Sequence, residues 1–488
     1  IASVGGAPAE LHAAQSEIPL VPLNREALDA RVHAQRSALG SEVGLFEDDA
    51  GRPLPWISPQ QGYVPGEPSL DDALLDSLPG SSGLGVGATP TGPRANGNML
   101  GLFEPIDGAS EREPLAHFHD ALRGLRAGRD VDGKVRVAIY GASHTEADIY
   151  PQYLRSYLQE RFGDGGHGFV MPAPPWKGYR HVDVAVEGFD HWRTEHAQRR
   201  EARRDGWFGL LGASISTRNA RAFARVVPAR AAVASRYEIY FLAQPKGGSF
   251  EVFVDGRRRE VVETASAQIA AGYHQFDLPE AQHVIELRPR GDGEVRLFGL
   301  TMERSTPGVV VDTLGIRGTR ASNALQWDQA IWSDNLRRRA PDLIVLAYGT
   351  NEATDADQPI AEYEYRLRET VQRYRDAAPQ ASCLLVGPGD FPQPLEGGGW
   401  SPRARVGEII AVQDRVAAEL GCGFWDMRAF MGGELAMVQW MHADPPMAAG
   451  DHVHLTRRGY VRMGMALADA MMTAFDRDDP VHARTAVP

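Results

Sequence analysis

The sequence predicts an α/β protein: a three-layer αβα sandwich around a parallel sheet, interrupted by an inserted β-sandwich of jelly-roll-like character. Three observations carry this expectation. Short apolar, β-branched runs that stop at glycine alternate with amphipathic helical stretches, the pattern of parallel strands and their crossover helices. Polar residues gather at the carboxyl ends of those runs, where open α/β sheets bind ligands. Between the first run and the second lies a stretch of short alternating strands that a parallel sheet does not account for.

Residues 1–111 form an N-terminal extension. Pro, Gly and Ser accumulate from Pro65 to Gly97 with little periodicity, the composition of an extended or loosely packed segment. Two similar phrases, GLFEDDAG from Gly44 and GLFEPIDG from Gly101, suggest short docking elements. Globular texture begins at the first part of the α/β domain, residues 112–178. Leu115, Phe118, Leu122 and Leu125 share one helical face, predicting a helix from Glu113 to Ala127. VRVAIY (135–140) is a strand closed by Gly141. After Ser143, the residues Tyr150, Leu154, Leu158 and Phe162 recur every four places, with Gly163 as a stop signal.

The insertion spans 179–305. Its strands are VDVAVEG, SRYEIYFLAQ, SFEVFVDG, REVVETAS, YHQFDL, HVIELRPRG and EVRLFGLTME, and Asp255-Gly256 is a hairpin signal. Trp192 and Trp207 read as core residues, with stacking on sugar rings as the alternative. The basic run RTEHAQRREARR (193–204) reads as a solvated helix face, or alternatively as a holder of anionic glycan. The second part of the α/β domain, 306–477, opens with GVVVDTLG, leading to Gly315, Gly318 and Asn323. LIVLAYGTNE (343–352), ASCLLVGPGDF and CGFWDM supply further strands. Helices are expected over Ala324–Arg339, Tyr363–Ala377 and Arg403–Leu420, and a last one is expected to be capped by Thr456. Residues 478–488 are a tail.

Composition excludes several functions. A formal charge of −13 argues against nucleic acid as a partner, because binding a phosphate backbone needs a basic face. No apolar run approaches the ~18–20 residues that span a bilayer, so no transmembrane segment is expected. The fifteen histidines are dispersed without metal-binding spacing, so neither a metal nor another cofactor is implied. Cys383 and Cys422 sit in apolar runs and read as buried thiols. The chain begins at Ile1 rather than Met, which raises the expectation of a removed start and signal peptide. Oligomeric state is left open.

Ser143, between strand and helix, has two readings: a helix cap, shared with Thr145 as a candidate, or a nucleophile. The second needs a base. Asp451 and His454, three residues apart just before the last helix, could supply one, the carboxylate fixing the imidazole so that Nε2 faces outward. His452 is the minor alternative base, and His144 either lines the pocket or packs in the turn.

Gly-Ala-Ser-His at 141–144, the glycine of IRGTR at 318, Gly-Thr-Asn-Glu at 349–352 and Asp-x-x-His at 451–454 resemble, in the same order, the four blocks of the SGNH (GDSL-like) hydrolases. The resemblance implies Ser143 as nucleophile, His454 as general base and Asp451 as its orienting acid. It also implies an oxyanion hole made of the backbone N–H groups of Ser143 and Gly318 and the side-chain amide of Asn351. Chemistry agrees, since glycine admits close approach and a neutral amide stabilises developing charge. Ala142 departs from the family, which usually has aspartate there; its absence is expected to loosen the nucleophile loop. The insertion and the segment GDGGHGFV are similar to those of peptidoglycan O-acetylesterases, whose insertion is carbohydrate-binding-module-like. The implied function is a secreted or periplasmic serine esterase, free of cofactors, that removes O-acetyl groups from an acetylated bacterial glycan such as peptidoglycan. The alternatives are a polysaccharide O-acetyltransferase and a non-catalytic glycan-binding or surface-assembly protein with a degenerate esterase core.

Overall fold

The computed structural model describes residues 106, 113–228 and 232–477. The first GLFE phrase, the second apart from Ile106, and the tail lie outside the described residues.

Five runs form one parallel sheet: β1 (Lys134–Gly141), β2 (Gly308–Gly315), β3 (Leu343–Ala347), β4 (Ser382–Val386) and β5 (Gly423–Trp425), in the spatial order β2-β1-β3-β4-β5. These strands are apolar throughout because both faces are covered. Val135, Val137 and Ile139 of β1 point into one core with Val309 and Val311, Leu343 and Val345, and Leu384 and Val386. Ala138 and Tyr140 point into the other, with Leu314, Ile344, Leu346, Cys383 and Leu385.

Helices α1 (Ala116–Arg126), α2 (Ser143–Glu146) and α3 (Ile149–Phe162) precede the insertion; α4 (Gln329–Arg339), α5 (Ile360–Ala377), α6 (Ala404–Leu420), α7 (Met427–Met431), α8 (Ala436–Met441) and α9 (Arg457–Arg477) follow it. The apolar faces of α1, α3 and α9 cover one side of the sheet and those of α4, α5 and α6 the other, which makes the three layers. Helix α1 starts later than its periodicity suggests, since the residue before Pro114 is driven out of helical geometry. The helix expected from Ala324 is a 3-10 turn, Ala321–Gln326, followed by α4. Asp328 restarts the chain as a cap, its side chain accepting from the N–H of Ile331.

The insertion folds as two antiparallel sheets packed face to face. One orders strands 270–281, 234–243, 295–303, 213–217 and 193–196, with Gly168–Val170 also pairing on 295–303, upstream of the expected boundary at 179. The other orders 184–187, 224–228, 285–289, 249–254 and 257–263. Phe241 and Phe250 meet between them, ring centroids 6.0 Å apart. Asp255 and Gly256 make the expected hairpin, both at positive φ (51° and 77°), with Val254 opposite Arg257. Trp192 and Trp207 are half-buried against the core, the indole N–H of Trp192 donating to the carbonyl of Phe223 at 2.8 Å. A buried ion network joins the insertion to the sheet: Glu303 accepts from Arg136 at 2.9 Å and pairs with Arg339, which also donates to Asp312 of β2 at 2.9 Å.

Two expectations are corrected. The basic run 193–204 is not a helix: Arg193–His196 is an edge strand and the rest turns back. The reason is Glu195, fully buried, whose carboxylate pairs with Arg193 and accepts from the N–H of Arg203, folding the run around itself. Cys383 and Cys422 are not thiols but a disulfide, with Cα atoms 4.6 Å apart. The parallel register that sets Leu384 beside Gly423 brings the preceding residues, the two cysteines, together. Among the described residues no helix is long and apolar enough to cross a membrane.

The bond closes a loop across 39 residues of sequence. Replacing both cysteines with alanine is therefore expected to cost on the order of 2–4 kcal/mol, mainly through the unfolded chain, and to lower the denaturant midpoint.

Candidate active site

The sheet brings Ser143, Gly318 and Asn351 to one rim, because β1 pairs Gly141 with Gly315 on one side and with Ala347 on the other. Both glycines are needed: a Cβ on Gly141 would lie 2.0 Å from the hydroxyl of Thr145, and one on Gly315 would lie 2.2 Å from the backbone N of Glu146. The short helix α2 thus sits directly on the strand ends. Neither candidate cap acts as one. Thr145 shares a 2.7 Å hydrogen bond with the hydroxyl of Tyr150, and the hydroxyl of Ser143 faces away from the backbone.

It lies 2.8 Å from Nε2 of His454. Nδ1 of His454 is 2.6 Å from the carboxylate of Asp451, whose other oxygen accepts from the N–H groups of Val453 and His454 at 3.0 and 2.9 Å. The Asp451 side chain is not deeply enclosed, being 35% exposed. Its burial opposes ionisation, but the hydrogen bond and charge of His454 together with the two N–H groups outweigh that and hold the acid well below the usual carboxylate range. The loop is pinned by Thr456, which accepts from the N–H of Gly459 at 3.3 Å and donates to the carbonyl of Pro446 at 3.0 Å. His452, the minor alternative, is turned elsewhere: it is buried at φ 59° and stacks on Trp400 with centroids 3.9 Å apart. His144 lines the site. Its Nδ1 is 3.0 Å from the hydroxyl of Tyr460 and its ring 5.4 Å from that of His454. Burial, and then the neighbouring His454, push its pKa down to about 3, so this imidazole is neutral near pH 7.

Asn351 donates its side-chain amide to the carbonyl of Thr319 at 2.9 Å, which fixes it against the Gly318 loop. That loop is folded by Asn323, whose side-chain oxygen accepts from the N–H of Arg320 at 2.8 Å. Sequence reasoning missed the groups that tie these loops together. Glu352, buried, accepts from the N–H groups of Ala321 and Gly349 at 2.9 and 3.0 Å, and burial raises its pKa. Glu146, also buried, accepts from the indole of Trp176 at 2.6 Å and from the N–H of Arg317 at 2.9 Å, and pairs with the Arg317 guanidinium. It links α2 to the residue before Gly318. Ser143 to Glu146 has the spacing of a capping box, the one local signal that could have drawn attention to this glutamate. Asp148, in left-handed geometry at φ 54° between α2 and α3, resembles a cap in sequence but makes none. It is fully buried and holds Arg155 at 3.2 Å and the N–H of Val182 at 2.9 Å.

A hydroxyl, an imidazole and a carboxylate in line, at the carboxyl rim of a 2-1-3-4-5 parallel sheet, define the class: an SGNH hydrolase fold. Comparisons agree. Residues 283–462 match the GDSL-like lipase/acylhydrolase family, and the chain resembles peptidoglycan O-acetylesterases in fold and sequence. A solved peptidoglycan O-acetylesterase is 25% identical over 76% of this chain and 99% of its own, with TM-score 0.64. A salicylyl-acyltransferase of a tetracycline biosynthetic pathway is 15% identical over 62% of this chain and 100% of its own, with TM-score 0.26. A family two carbohydrate esterase from Cellvibrio japonicus is 15% identical over 60% of this chain and 96% of its own, with TM-score 0.22. No curated protein matches the sequence.

Two outcomes are expected. Arg317→Ala leaves the Glu146 carboxylate buried without its counter-charge and should cost about 3 kcal/mol in chemical denaturation. His144→Gln should leave the shape of the kcat/KM profile against pH for a small acetyl ester unchanged near neutrality, since this ring is already neutral there; a shifted acid limb would show that it titrates in that range.

Proposed function

We propose that the protein is a serine esterase that removes O-acetyl groups from a bacterial polysaccharide such as peptidoglycan through an acetyl-serine intermediate. The reading rests above all on the line from Ser143 to His454 to Asp451, with contacts of 2.8 and 2.6 Å. Oγ of Ser143 attacks the acetyl carbon while its proton passes to Nε2 of His454, and Asp451 stabilises the imidazolium. The oxyanion is received by the N–H groups of Ser143 and Gly318 and by the amide of Asn351. Collapse expels the sugar oxygen, which takes the proton from His454. Water then attacks the acetyl-serine with its proton drawn by His454, which returns it to Oγ of Ser143 as the acyl bond breaks and acetate leaves. The likeness to a peptidoglycan O-acetylesterase supports the glycan substrate. The Cys383–Cys422 disulfide supports an oxidising location, outside the cytoplasm or in the cell envelope.

Incubation with an activated acetyl ester followed by acid quench should leave acetyl on Ser143. Ser143→Ala should lower turnover by roughly 10⁴–10⁶-fold, and Asn351→Ala by roughly 10²–10³-fold. Loss of less than about tenfold in the serine variant would overturn the assignment. Acetylated peptidoglycan should yield free acetate; transfer of the acetyl group to an added glycan hydroxyl in place of water would make the protein a transferase instead.

A further inference from the structure

At the end of the six-stranded sheet of the insertion, where edge strand 193–196 runs beside strand 213–217, lies a cavity of about 720 Å³. Its wall is unlike the Ser143 rim. Four arginines, Arg193, Arg203, Arg218 and Arg290, converge on it from three separate segments of the chain. The loops carrying Arg218 and Arg290 are locked side by side, since Gly291, at φ 78°, lies so close that a Cβ there would be 3.0 Å from that of Ala220.

The layering of charge decides what this cavity suits. The guanidinium side chains are 51%, 33%, 68% and 50% exposed in sequence order, whereas the glutamates that pair with them are sunk beneath, Glu195 at 0% and Glu294 at 13%. Glu294 meets Arg203 at 2.5 Å and Arg218 at 3.5 Å, while Arg290 donates to the hydroxyl of Ser249 at 3.4 Å and lies 3.9 Å from Asp292. Apart from Asp292, 44% exposed beside Arg290, cation therefore faces solvent and anion faces protein. On a chain of net charge −13 such a patch is a local reversal of sign, so an acidic polymer that the rest of the surface repels is attracted here. Arginine's planar fork matches a carboxylate two bonds at a time. The remaining wall, with Ser216 and Asn219, offers neutral donors and acceptors suited to sugar hydroxyls, and no Phe, Tyr or Trp is among the residues that line it.

We propose that this cavity binds carboxylate-bearing saccharide chains, as a site separate from the Ser143 rim. It anchors an acidic glycan through Arg218 and Arg290 at the rim and Arg193 and Arg203 within. The proposal does not depend on Ser143 chemistry, and small-ester turnover separates failure of one from failure of the other.

The test is isothermal titration of the full chain with an oligogalacturonide, with neutral chitohexaose and with a glycerol-phosphate polymer, alongside the double variant Arg218→Ala/Arg290→Ala. Wild type should bind the oligogalacturonide, weaken steeply with added salt, and bind chitohexaose at least tenfold less well. The variant should lose about tenfold or more in affinity while keeping its melting temperature and its turnover of a small acetyl ester, because both side chains are on exposed loops. Four results would each overturn the proposal: no binding of the oligogalacturonide, equal binding of chitohexaose, tighter binding of the phosphate polymer, or undiminished binding by the variant.

Discussion

The site depends on one steric constraint: nothing larger than hydrogen fits at the ends of β1 and β2. Gly141 and Gly315 are register partners, and α2 occupies the space where their side chains would be, with the side chain of Thr145 over Gly141 and its own backbone over Gly315. Because the helix rests on the strand ends, its first residue stands at the rim. The adjacent strands then place the Gly318 loop and Asn351 at the same height. A parallel sheet delivers this alignment without long-range design, since every strand ends on the same edge and each crossover returns the chain to the opposite one.

Above that edge the backbone is irregular, and buried charge replaces secondary structure as the organiser. Glu146 joins α2 to Arg317, Glu352 joins the 321 loop to Gly349, and Asp148 joins the α2–α3 bend to Arg155. Each acid is enclosed at a desolvation cost that its donors counter, though at Glu352 burial still outweighs them and raises the pKa. At Ala142, where the family usually has an aspartate, the backbone still has its own support: its carbonyl accepts from the N–H of Glu146 at 2.9 Å. Local bonds of this kind, with Thr145 on Tyr150, hold the serine toward its base.

What could be read in the sequence was what local pattern encodes. Glycine-terminated runs such as VRVAIYG and GVVVDTLG announced strands and their functional ends, and the three-residue step from Asp451 to His454 announced a carboxylate–imidazole pair. Short elements were harder. Strands 168–170, 193–196, 213–217 and 224–228 are 3, 4, 5 and 5 residues long, too brief for alternation to stand out. The disulfide depends on the register of two strands far apart in sequence, which no spacing reveals. The basic run misled because its charges suggested solvent, whereas Glu195, a single acid within it, turns inward and draws the arginines over itself.

The order of the strands along the chain has a consequence for biogenesis. Both neighbours of β1 are encoded after the insertion, β2 beginning at Gly308 while β1 ends at Gly141. As the polypeptide emerges, a hydrophobic ribbon with two bare hydrogen-bonding edges must wait for roughly 170 further residues, about 10–30 s at ordinary ribosomal speed. Such edges invite wrong pairing. The insertion, a self-contained pair of antiparallel sheets, can fold during that wait, and its strand 295–303 delivers the chain at Gly308 to the side of β1. On this view Ser143, the proposed nucleophile, is the first group of the candidate site to be made and among the last to be seated.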